Sequence, residues 1–280
     1  MKILSTFILA LAFVLPGQTP TFAAEKTMIE KVKERGVLHA GIKDSVPFLG
    51  FMDEKGKNAG FEIDLVTDLA KRLGVKVEFT PTQASTRVQL LQQGRIDLVM
   101  ATMTHYRKRD EVLDFSIAYL YAPQTMLVKC DSGIKGLADA AGKRIGTSLG
   151  AGTVKNFPKA QPKAIIQTFQ GWPESFFALE RGIVDAVATD NVILASLRAG
   201  SPNPEKYCLV GKKGVFGGGY YAVGLLEGDS DSRDTINFLL QDQWLDGTWQ
   251  KTFDKWLGKD SKLNMTAADF ANFEMRIWNP

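Results

Sequence analysis

Two ten-residue stretches of this chain follow the same design: LQQGRIDLVM at residues 91–100 and LERGIVDAVA at residues 179–188. Each stretch predicts the end of a helix, a Gly that stops it, and an apolar strand with one Asp near its start. A strand that is apolar almost throughout is typical of a parallel sheet covered on both faces. The repeat therefore predicts two lobes of one plan, each with a loop after a comparable buried strand.

The sequence around these stretches alternates between strand and helix patterns. In the first half we predict strands over residues 37–42, 75–79 and 96–101, and helices over residues 60–73 and 87–93. In the second half we predict strands over residues 125–128, 144–147 and 183–188, and helices over residues 137–141 and 175–180. The pattern predicts an α/β fold with a mostly parallel sheet in each lobe, flanked by helices. Ligands of such sheets bind at the carboxyl ends of the strands, so two facing lobes would form a cleft.

The C-terminal part divides into two segments. Residues 234–257 predict a helical region whose large apolar residues belong to the core. Residues 259–280 mix polar and aromatic side chains without a periodic pattern, and we assign them no structure or role.

The composition excludes several classes of protein. The 280 residues, 45% of them hydrophobic and 23% charged, suffice for one large or two ordinary domains with a sizeable core. Lys and Arg number 34 against 31 Asp and Glu, and the net charge of +3 gives no basis for a nucleic-acid partner. Two Cys and two His exclude a zinc framework, so we expect no metal site.

Residues 1–23 read as a secretory signal peptide. A Lys supplies the positive charge, residues 3–15 form an apolar run, and Thr21 and Ala23 place small side chains at a cleavage site. A membrane anchor is the alternative, but a helix over residues 3–15 would span about 20 Å of a hydrocarbon core of roughly 30 Å. We therefore expect a mature chain that lies outside the cytoplasm and is not embedded in a membrane.

The expected export of the chain affects how Cys130 and Cys208 are interpreted. An oxidising compartment permits a disulfide between them, and two buried free thiols are the alternative. We predict that the two residues form a disulfide.

The catalytic motifs that we searched for are incomplete. GTSLG at residues 146–150 matches a nucleophile elbow, but that arrangement requires a His after the Ser, and both His39 and His105 precede it. We therefore expect no catalytic residues and interpret the segment as a Gly-rich turn before a helix. The free backbone N–H groups of Gly152 and Thr153 suit an anion there.

Charged residues follow the two repeated strands. Thr102, Thr104 and Arg109 follow the first, and Arg is the side chain suited to bidentate binding of a carboxylate. Asp190 follows the second strand and could neutralise an ammonium group. The alternatives are a solvated basic loop and a helix N-cap. On facing lobes, a cation and an anion would complement an amino-acid zwitterion.

The chain resembles the periplasmic solute-binding proteins of polar amino-acid ABC transporters, known as family 3. The resemblance covers essentially all of the expected mature chain and is carried by the order and spacing of DSVPF (44–48), GFEIDL (60–65), GRID (94–97), Thr102 and Thr104 with Arg109, DFS (114–116), GKRIG (142–146), Asp185 with Asp190, and GTW (247–249) with WLG (256–258). It implies a monomeric, two-lobed periplasmic-binding-protein fold that needs no cofactor and delivers an amino acid to an inner-membrane ABC permease.

The resemblance also implies how the lobes divide and which residues bind the ligand. Lobe 1 would comprise residues 24–120 and 221–280, lobe 2 residues 121–220, with hinge crossings near residues 119–121 and 219–221. Arg109 resembles the Arg that clamps the ligand α-carboxylate, assisted by Thr104 and Thr102, and Asp190 resembles the Asp that takes the α-ammonium. Ser148, Gly152 and Thr153 resemble the segment that closes over the carboxylate. Phe61 resembles an aromatic residue that contacts the ligand side chain, with a core role as the alternative.

Specificity depends on the side-chain pocket. Arg87 stands fifteen residues before Thr102, as does the Arg of glutamate/aspartate binders that pairs with the second carboxylate of the ligand. An exposed Arg at a helix start is the alternative, and relatives that bind other amino acids, cysteine among them, also carry an Arg here. Lys43 would add a second cation, whereas Trp172 stands where some glutamate/aspartate binders have a His. We predict an acidic amino acid as the ligand.

The alternative function is that of an enzyme with the same fold. Exported cyclohexadienyl dehydratases, which act on prephenate or arogenate, resemble these binders and also carry Cys at places like Cys130 and Cys208. Such an enzyme needs a carboxylic acid in the cleft to protonate a leaving hydroxyl, and Glu174 is the candidate.

Overall fold

The computed structural model describes residues 25–211 and 213–278. The predicted signal peptide, residues 1–23, lies outside these described residues. The helices are α1 (Met28–Arg35), α2 (Phe61–Leu73), α3 (Arg87–Gln92), α4 (Arg107–Asp110), α5 (Thr153–Ala160), α6 (Trp172–Glu180), α7 (Asn191–Gly200), α8 (Ser230–Leu245) and α9 (Thr248–Trp256). Short 3₁₀ turns occur at Ala138–Ala140, Pro204–Lys206 and Ala267–Phe270. Among the residues described, no helix combines the length and apolar character needed to cross a bilayer.

The strands form one large sheet and one small one. The strands are β1 (Val37–Ile42), β2 (Ser45–Val46), β3 (Gly50–Met52), β4 (Asn58–Ala59), β5 (Lys76–Pro81), β6 (Leu98–Val99), β7 (Asp114–Lys129), β8 (Arg144–Ser148), β9 (Ile165–Phe169), β10 (Ala186–Asp190), β11 (Tyr207–Val210) and β12 (Gly217–Leu225). The large sheet has the order β5-β1-β6-β12-β7-β10-β8-β9, with β11 also paired to β7. Its pairs at either end, β5-β1-β6 and β10-β8-β9, are parallel, as predicted for each half.

Two long antiparallel strands join the two parallel halves. The first part of β7 pairs with β12, in a register that places Tyr221 opposite Leu120 and Tyr220 opposite Tyr121. The last part of β7 pairs with β10 and β11 of the second half. The expected crossings near residues 119–121 and 219–221 fall on this pairing. The short strand predicted at residues 125–128 is the end of this longer strand.

The Asp of each repeated stretch performs the same task in its own half. Asp97 accepts a hydrogen bond from the backbone N–H of His39 on β1, at 2.7 Å. Asp185 accepts one from the backbone N–H of Arg144 on β8, at 2.8 Å. Each carboxylate therefore links the start of one strand to the neighbouring strand by a hydrogen bond. The two repeated stretches share this contact.

The predicted strand over residues 96–101 is wrong in length, because only Leu98 and Val99 form β6. The backbone then leaves the sheet, and Thr102 adopts a positive φ of 50°. The apolar residues on both sides stay buried, so the hydrophobic pattern was that of a buried segment longer than the strand.

One large cluster of buried apolar side chains spans both halves, and a smaller cluster lies within the second half. In the first half, Leu65 and Leu69 of α2 pack against β1, and an aromatic group around Trp249 and Phe253 of α9 extends this core. In the second half, Phe157 of α5 packs with the buried residues of β8 and β10. The predicted helical region at residues 234–257 consists of two helices, α8 and α9, separated at Gly247, whose φ is 80°.

Residues 259–278 form an irregular segment, the C-terminal strap, that packs against other parts of the chain. Phe270 is buried against Phe253 with ring centroids 5.3 Å apart, and Asn191 at the start of α7 donates its side-chain N–H to the carbonyl of Asp269 at 2.6 Å. Phe273 contacts Tyr220 of β12 and Trp244 of α8. Residues 259–278, for which we predicted no structure, thus contact both halves and the strands between them.

A disulfide joins Cys130, just after β7, to Cys208 of β11, and its Cα atoms are 5.0 Å apart. The predicted pairing is confirmed.

Candidate functional site

A small cavity with about 20 Å³ of free space lies between the two halves. The first half contributes Arg87, Thr102, Thr104 and Arg109 to its wall, and the second half contributes Gly152, Thr153, Trp172 and Asp190. This free space is far below the roughly 300–1,000 Å³ of small-molecule sites, so the two halves must move apart to admit a ligand of the size of an amino acid. The charged side chains of the wall suit a polar ligand.

Arg109 reaches across the cavity from the short helix α4. Its Nη1 donates to the carbonyl of Thr104 at 2.7 Å, and its Nη2 donates to the carbonyl of Gly150 in the other half at 3.3 Å. The guanidinium also stacks on the ring of Tyr106, 5.1 Å from its centroid. Burial lowers the pKa of Arg109, although nearby Tyr106 and Asp190 favour the charged form. The side chain is therefore a partly buried cation held by contacts with both halves.

Asp190 ends β10 on the opposite wall and is 5% exposed. Its carboxylate accepts hydrogen bonds from the side-chain amide of Gln124 at 3.0 Å and from the Tyr221 hydroxyl at 2.5 Å. Burial raises the pKa of Asp190, and these two hydrogen bonds oppose the rise. Although Asp190 occupies the N-cap position of α7, its side chain makes no capping hydrogen bond. The carboxylate therefore does not cap the helix and belongs to the cavity wall.

Arg87 is 3% exposed, so it is not the exposed helix-start residue that was the alternative. Its Nη1 donates to the carbonyls of Ala101 and Thr102, while its Nε is buried without a hydrogen-bond partner. Burial, followed by repulsion from Arg109, lowers the pKa of Arg87 to about 9. Two guanidinium groups therefore face one cavity.

Lys43 and Glu62 lie behind the cavity wall. Lys43 donates to the carbonyl of Thr82 at 2.9 Å, and burial, with repulsion from Arg87, lowers its pKa to about 7. Glu62 accepts hydrogen bonds from the Thr102 backbone N–H at 2.7 Å and the Tyr119 hydroxyl at 2.5 Å, and burial raises its pKa to about 7. Lys43 is not among the wall residues, and our sequence analysis did not select Glu62 as a site residue. The signal that could have identified Glu62 is a Glu on the apolar face of the predicted helix over residues 60–73.

The Gly-rich turn approaches the first half closely. Gly150 has a φ of 80°, and a Cβ there would lie 2.7 Å from the Cα of Ser85. A Cβ on Gly152 would lie 2.5 Å from the Tyr106 hydroxyl. Thr153 begins α5 and has a buried hydroxyl without a partner, whereas the Ser148 hydroxyl donates to the carbonyl of Gln170 at 3.4 Å and lies outside the wall. Only Gly can bring this backbone so near to the opposite half.

Two predicted positions are corrected. Phe61 is fully buried and meets Trp249 and Phe253 edge-on, so the expected contact with a ligand is wrong and the core alternative is right. The first position of α2 faces the aromatic group of α9 and not the cavity. Glu174, the acid of the enzyme hypothesis, is exposed on α6 and lies outside the cavity wall.

Three residues that the sequence analysis missed connect the halves. The Tyr106 hydroxyl accepts hydrogen bonds from the side-chain amides of Asn156 at 3.1 Å and Gln124 at 3.2 Å. Tyr106 lies in the first half, Asn156 on α5 of the second, and Gln124 on β7. No local pattern marks such a contact, because it exists only when the two halves approach each other.

Two α/β halves joined by two strands, with charged side chains of both halves converging on the crevice between them, define the class of two-lobed binding proteins. Within that class, residues 38–259 match the family described as bacterial extracellular solute-binding proteins, family 3. The chain belongs to this family.

Three characterised relatives align with most of the chain. The ABC transporter glutamine-binding protein GlnH of Bacillus subtilis is 30% identical over 242 residues, which is 85% of this chain and 87% of the relative. The L-cystine-binding protein TcyJ of Escherichia coli strain K12 is 30% identical over 255 residues, 90% of this chain and 94% of the relative. The L-glutamate/L-aspartate-binding protein of Pseudomonas aeruginosa is 28% identical over 269 residues, 91% of this chain and 87% of the relative.

Solved structures with the same fold include two reconstructed ancestral proteins. An ancestral arginine-binding protein, solved with glutamine and with arginine, superposes with a TM-score of 0.74 at 38% identity, covering 80% of this chain and 99% of the other. AncCDT-1, an ancestral amino acid-binding protein described as a precursor of cyclohexadienyl dehydratase, gives a TM-score of 0.76 at 32% identity, covering 83% and 100%. These proteins differ in the side chain of their named ligands, so the family membership alone does not assign one here.

Proposed function

We propose that this chain binds one acidic amino acid, glutamate or aspartate, in the cavity and delivers it to an inner-membrane ABC permease. The names of the relatives support an amino acid as the ligand, and one of them is named as part of an ABC transporter. The charges of the cavity wall support an acidic side chain.

The charge balance is the observation that carries the proposal. A bound amino acid would offer its α-carboxylate to Arg109, assisted by Thr104 and Thr102, and its α-ammonium to Asp190. That pairing leaves the Arg87 cation without a counter-charge in the wall. A buried charge is costly unless it is paired, and a second carboxylate on the ligand would pair it. Behind the wall, Glu62 attracts both Lys43 and Arg87, but burial raises the pKa of Glu62 and lowers that of Lys43 to about 7, so neither group is fully charged at neutral pH.

Binding would favour the closed arrangement of the lobes. The ligand would touch Arg109 on one lobe and Asp190 on the other, and only the closed form offers both contacts. The Gly152 turn would cover the carboxylate, and the hydrogen bonds of Tyr106 would form at the same time. The permease would then recognise the closed molecule.

We extend the proposal to the organisation of the protein. Lobe 1 would comprise residues 24–120 and 221–280, lobe 2 residues 121–220, and the paired parts of β7 and β12 would act as the hinge. Removal of residues 1–23 as a signal peptide would release a monomer into the periplasm. The disulfide is consistent with an oxidising compartment.

Calorimetry on protein that has been unfolded, dialysed free of ligand and refolded tests the proposed ligand. Glutamate or aspartate should bind more tightly than glutamine, cystine or arginine, because only an acidic side chain pairs Arg87. Tighter binding of glutamine or cystine would reject the acidic ligand.

Arg109→Ala tests the carboxylate contact, with Arg107→Ala as the matched control on the same short helix. Loss of Arg109 should cost about 3–5 kcal/mol of binding, because it leaves a buried carboxylate unpaired. Arg107 is exposed and outside the cavity wall, so its loss should leave the affinity unchanged. Equal affinities of the two folded variants would contradict the proposed role.

We also propose that the chain is not an enzyme. The acid that a dehydratase would need is missing from the position that the sequence suggested, because Glu174 is exposed outside the cavity wall. Turnover of prephenate or arogenate by the purified protein would overturn this part of the proposal.

A further inference from the structure

A second cavity lies between helix α7 of the second half and the C-terminal strap, and we call it the strap cavity. Its free space is about 320 Å³, against about 20 Å³ in the cavity between the halves. A volume of roughly 300 Å³ or more is typical of small-molecule sites. The strap cavity shares no wall residue with the cavity between the halves. It is therefore large enough for a ligand of its own in the arrangement that the structure shows.

Most of the wall of the strap cavity is aliphatic. Its apolar side chains include Ala195 and Ala199 of α7, Leu209 of β11, and Leu263 and Met265 of the strap. No aromatic ring is among the described residues that line this cavity. Because burial of apolar surface drives binding, such a wall suits a flexible alkyl chain.

Three ionisable side chains also line the strap cavity. The Nε of Arg198 donates to the carbonyl of Pro204 at 3.0 Å. Within the described part of the chain, neither the terminal nitrogens of Arg198 nor the ammonium of Lys262 forms an ion pair or a hydrogen bond. The carboxylate of Asp269, in contrast, accepts from the Thr266 backbone N–H at 2.9 Å and from its hydroxyl at 3.0 Å. Two cations and one anion leave the wall with a net positive charge, which complements a monoanion.

The start of α7 lies between the two cavities. Asp190 lines the cavity between the halves, and the next residue, Asn191, lines the strap cavity and donates to the carbonyl of Asp269 in the strap at 2.6 Å. The strap is packed on the first half, because Phe270 and Phe273 contact rings of α9 and α8. A ligand in the strap cavity would therefore contact α7 of the second half and a segment that is attached to the first.

We propose that the strap cavity binds a small aliphatic carboxylate, whose head group pairs with Arg198 and Lys262, and that this ligand tightens the binding of the amino acid. The carboxylate favours the arrangement of α7 and the strap in which its cavity is formed, and in this arrangement the cavity between the halves is closed. Two ligands that favour the same arrangement strengthen each other's binding. The strap cavity itself does not depend on the proposed acidic ligand, and only the coupling does.

Calorimetry with octanoate, 1-octanol and acetate on the wild-type protein tests the site. Octanoate should bind as one molecule per chain and about fivefold or more tightly than 1-octanol, because pairing with the two cations adds to the burial of the same alkyl chain. Acetate has the charge without the chain and should show no measurable binding. Absence of saturable octanoate binding, or 1-octanol that binds as tightly, would overturn the proposal.

The double variant Arg198→Gln and Lys262→Gln tests the head-group contacts. It should retain the binding of 1-octanol and lose the preference for octanoate, because the wall no longer carries a cation. Arg181→Gln together with Lys206→Gln is the matched control, since both residues are exposed on the second half outside this wall. A preference that the first pair leaves unchanged would refute the role of the two cations.

Ala195→Phe tests the location by placing a ring where the alkyl chain would lie. Octanoate and 1-octanol should both lose measurable binding to this variant, because Ala195 belongs to the wall. Circular dichroism and urea unfolding establish that the variant is folded. Octanoate binding to the folded variant with undiminished affinity would reject the strap cavity as the site.

Titrations with both ligands test the coupling. Octanoate should bind about fivefold or more tightly to protein saturated with glutamate, and by reciprocity glutamate should gain the same factor from octanoate. Mutual competition would place octanoate in the cavity between the halves and reject the site, whereas unchanged affinities would reject the coupling alone. A wild type that binds octanoate but no glutamate would reject the proposed acidic ligand and not the strap cavity. The coupling is then measured with whichever of glutamine, cystine and arginine binds.

Discussion

Glu62 and Lys43 are two ionisable side chains buried behind the cavity wall, and both form hydrogen bonds with neighbouring parts of the chain. Glu62 holds the loop that carries Thr102, because it accepts from the Thr102 backbone N–H, and it also holds Tyr119 of β7. Thr102 sits in a positive-φ conformation that a residue with a side chain rarely adopts. We therefore infer that Glu62 positions the loop from which Thr102 and Thr104 reach the cavity.

The raised pKa of Glu62 gives a pH-dependent contribution to stability. The unfolded chain loses this proton near 4.5, whereas burial keeps the proton in the folded protein up to about pH 7. Between these values the folded state binds more protons, so its stability falls as the pH rises. The contribution is complete below about pH 4.5 and is lost as the pH passes about 7.

Glu62→Gln removes this contribution and retains the shape of the side chain. The free energy of unfolding of the wild type minus that of the variant should fall between pH 4.5 and 7, by on the order of 1–3 kcal/mol. Urea unfolding at several pH values in this range measures the difference. Glu54→Gln, on an exposed loop, is the control. A difference that does not change with pH would contradict the burial of an ionisable Glu62.

Above pH 7, Lys43 acts in the opposite direction on the free energy of unfolding of the wild type itself, whereas its contribution cancels from the difference between wild type and Glu62→Gln. Burial lowers its pKa from 10.5 to about 7, so above pH 7 the unfolded chain binds more protons than the folded protein. Stability from this group therefore rises with pH in that range. The two groups can be separated because they act on opposite sides of pH 7.

Among the elements, β7 and β11 are held together by the disulfide as well as by their backbone hydrogen bonds. Cys130 and Cys208 are 78 residues apart, and both are exposed. Cross-linking so long a loop stabilises a protein chiefly by restricting its unfolded chain, in the usual entropic account.

Replacing Cys130 and Cys208 by Ser together should lower the free energy of unfolding by about 2–5 kcal/mol, measured by urea unfolding. Wild-type protein in reductant is the control and should lose a similar amount, because the exposed disulfide is accessible. Two free thiols in unreduced wild-type protein, found by mass spectrometry, would contradict the bond itself.

The elements also explain how far the sequence could predict the fold and the site. The repeated stretches gave the two parallel halves, because a Gly stop and an apolar strand are local signals. The place of Arg109 and Asp190 at the cleft could also be predicted, because ligands of such sheets bind at the carboxyl ends of the strands. Phe61 was misplaced because an apolar residue at the start of a helix looks alike in a core and in a pocket. Tyr106, Gln124 and Asn156 were missed because their hydrogen bonds join distant parts of the chain.

At the level of the whole molecule, the C-terminal strap belongs to the folded structure. Phe270 is 1% exposed and packs on Phe253, whereas Phe177 of α6 is 50% exposed. The strap also meets Asn191, the residue next to Asp190, so it touches the second half beside the cavity.

Phe270→Ala should lower the free energy of unfolding by about 3–5 kcal/mol, because it removes a buried ring and leaves a cavity. Phe177→Ala, which removes a ring of the same size from the surface of α6, should cost about 1 kcal/mol or less. Urea unfolding measures both. Equal losses would contradict an integral role of the strap.

The sheet order has a consequence for how the chain folds as it is made. Between β6 and β7, the first half contains β12, and this strand comes from residues 217–225 near the end of the chain. A nascent chain that has emerged only as far as β10 lacks this strand, so the side of β6 that pairs with β12 has no partner. Pairing across so great a sequence separation is slow. The first half therefore completes its part of the sheet only after residues 217–225 have been synthesised, although its other strands are synthesised first.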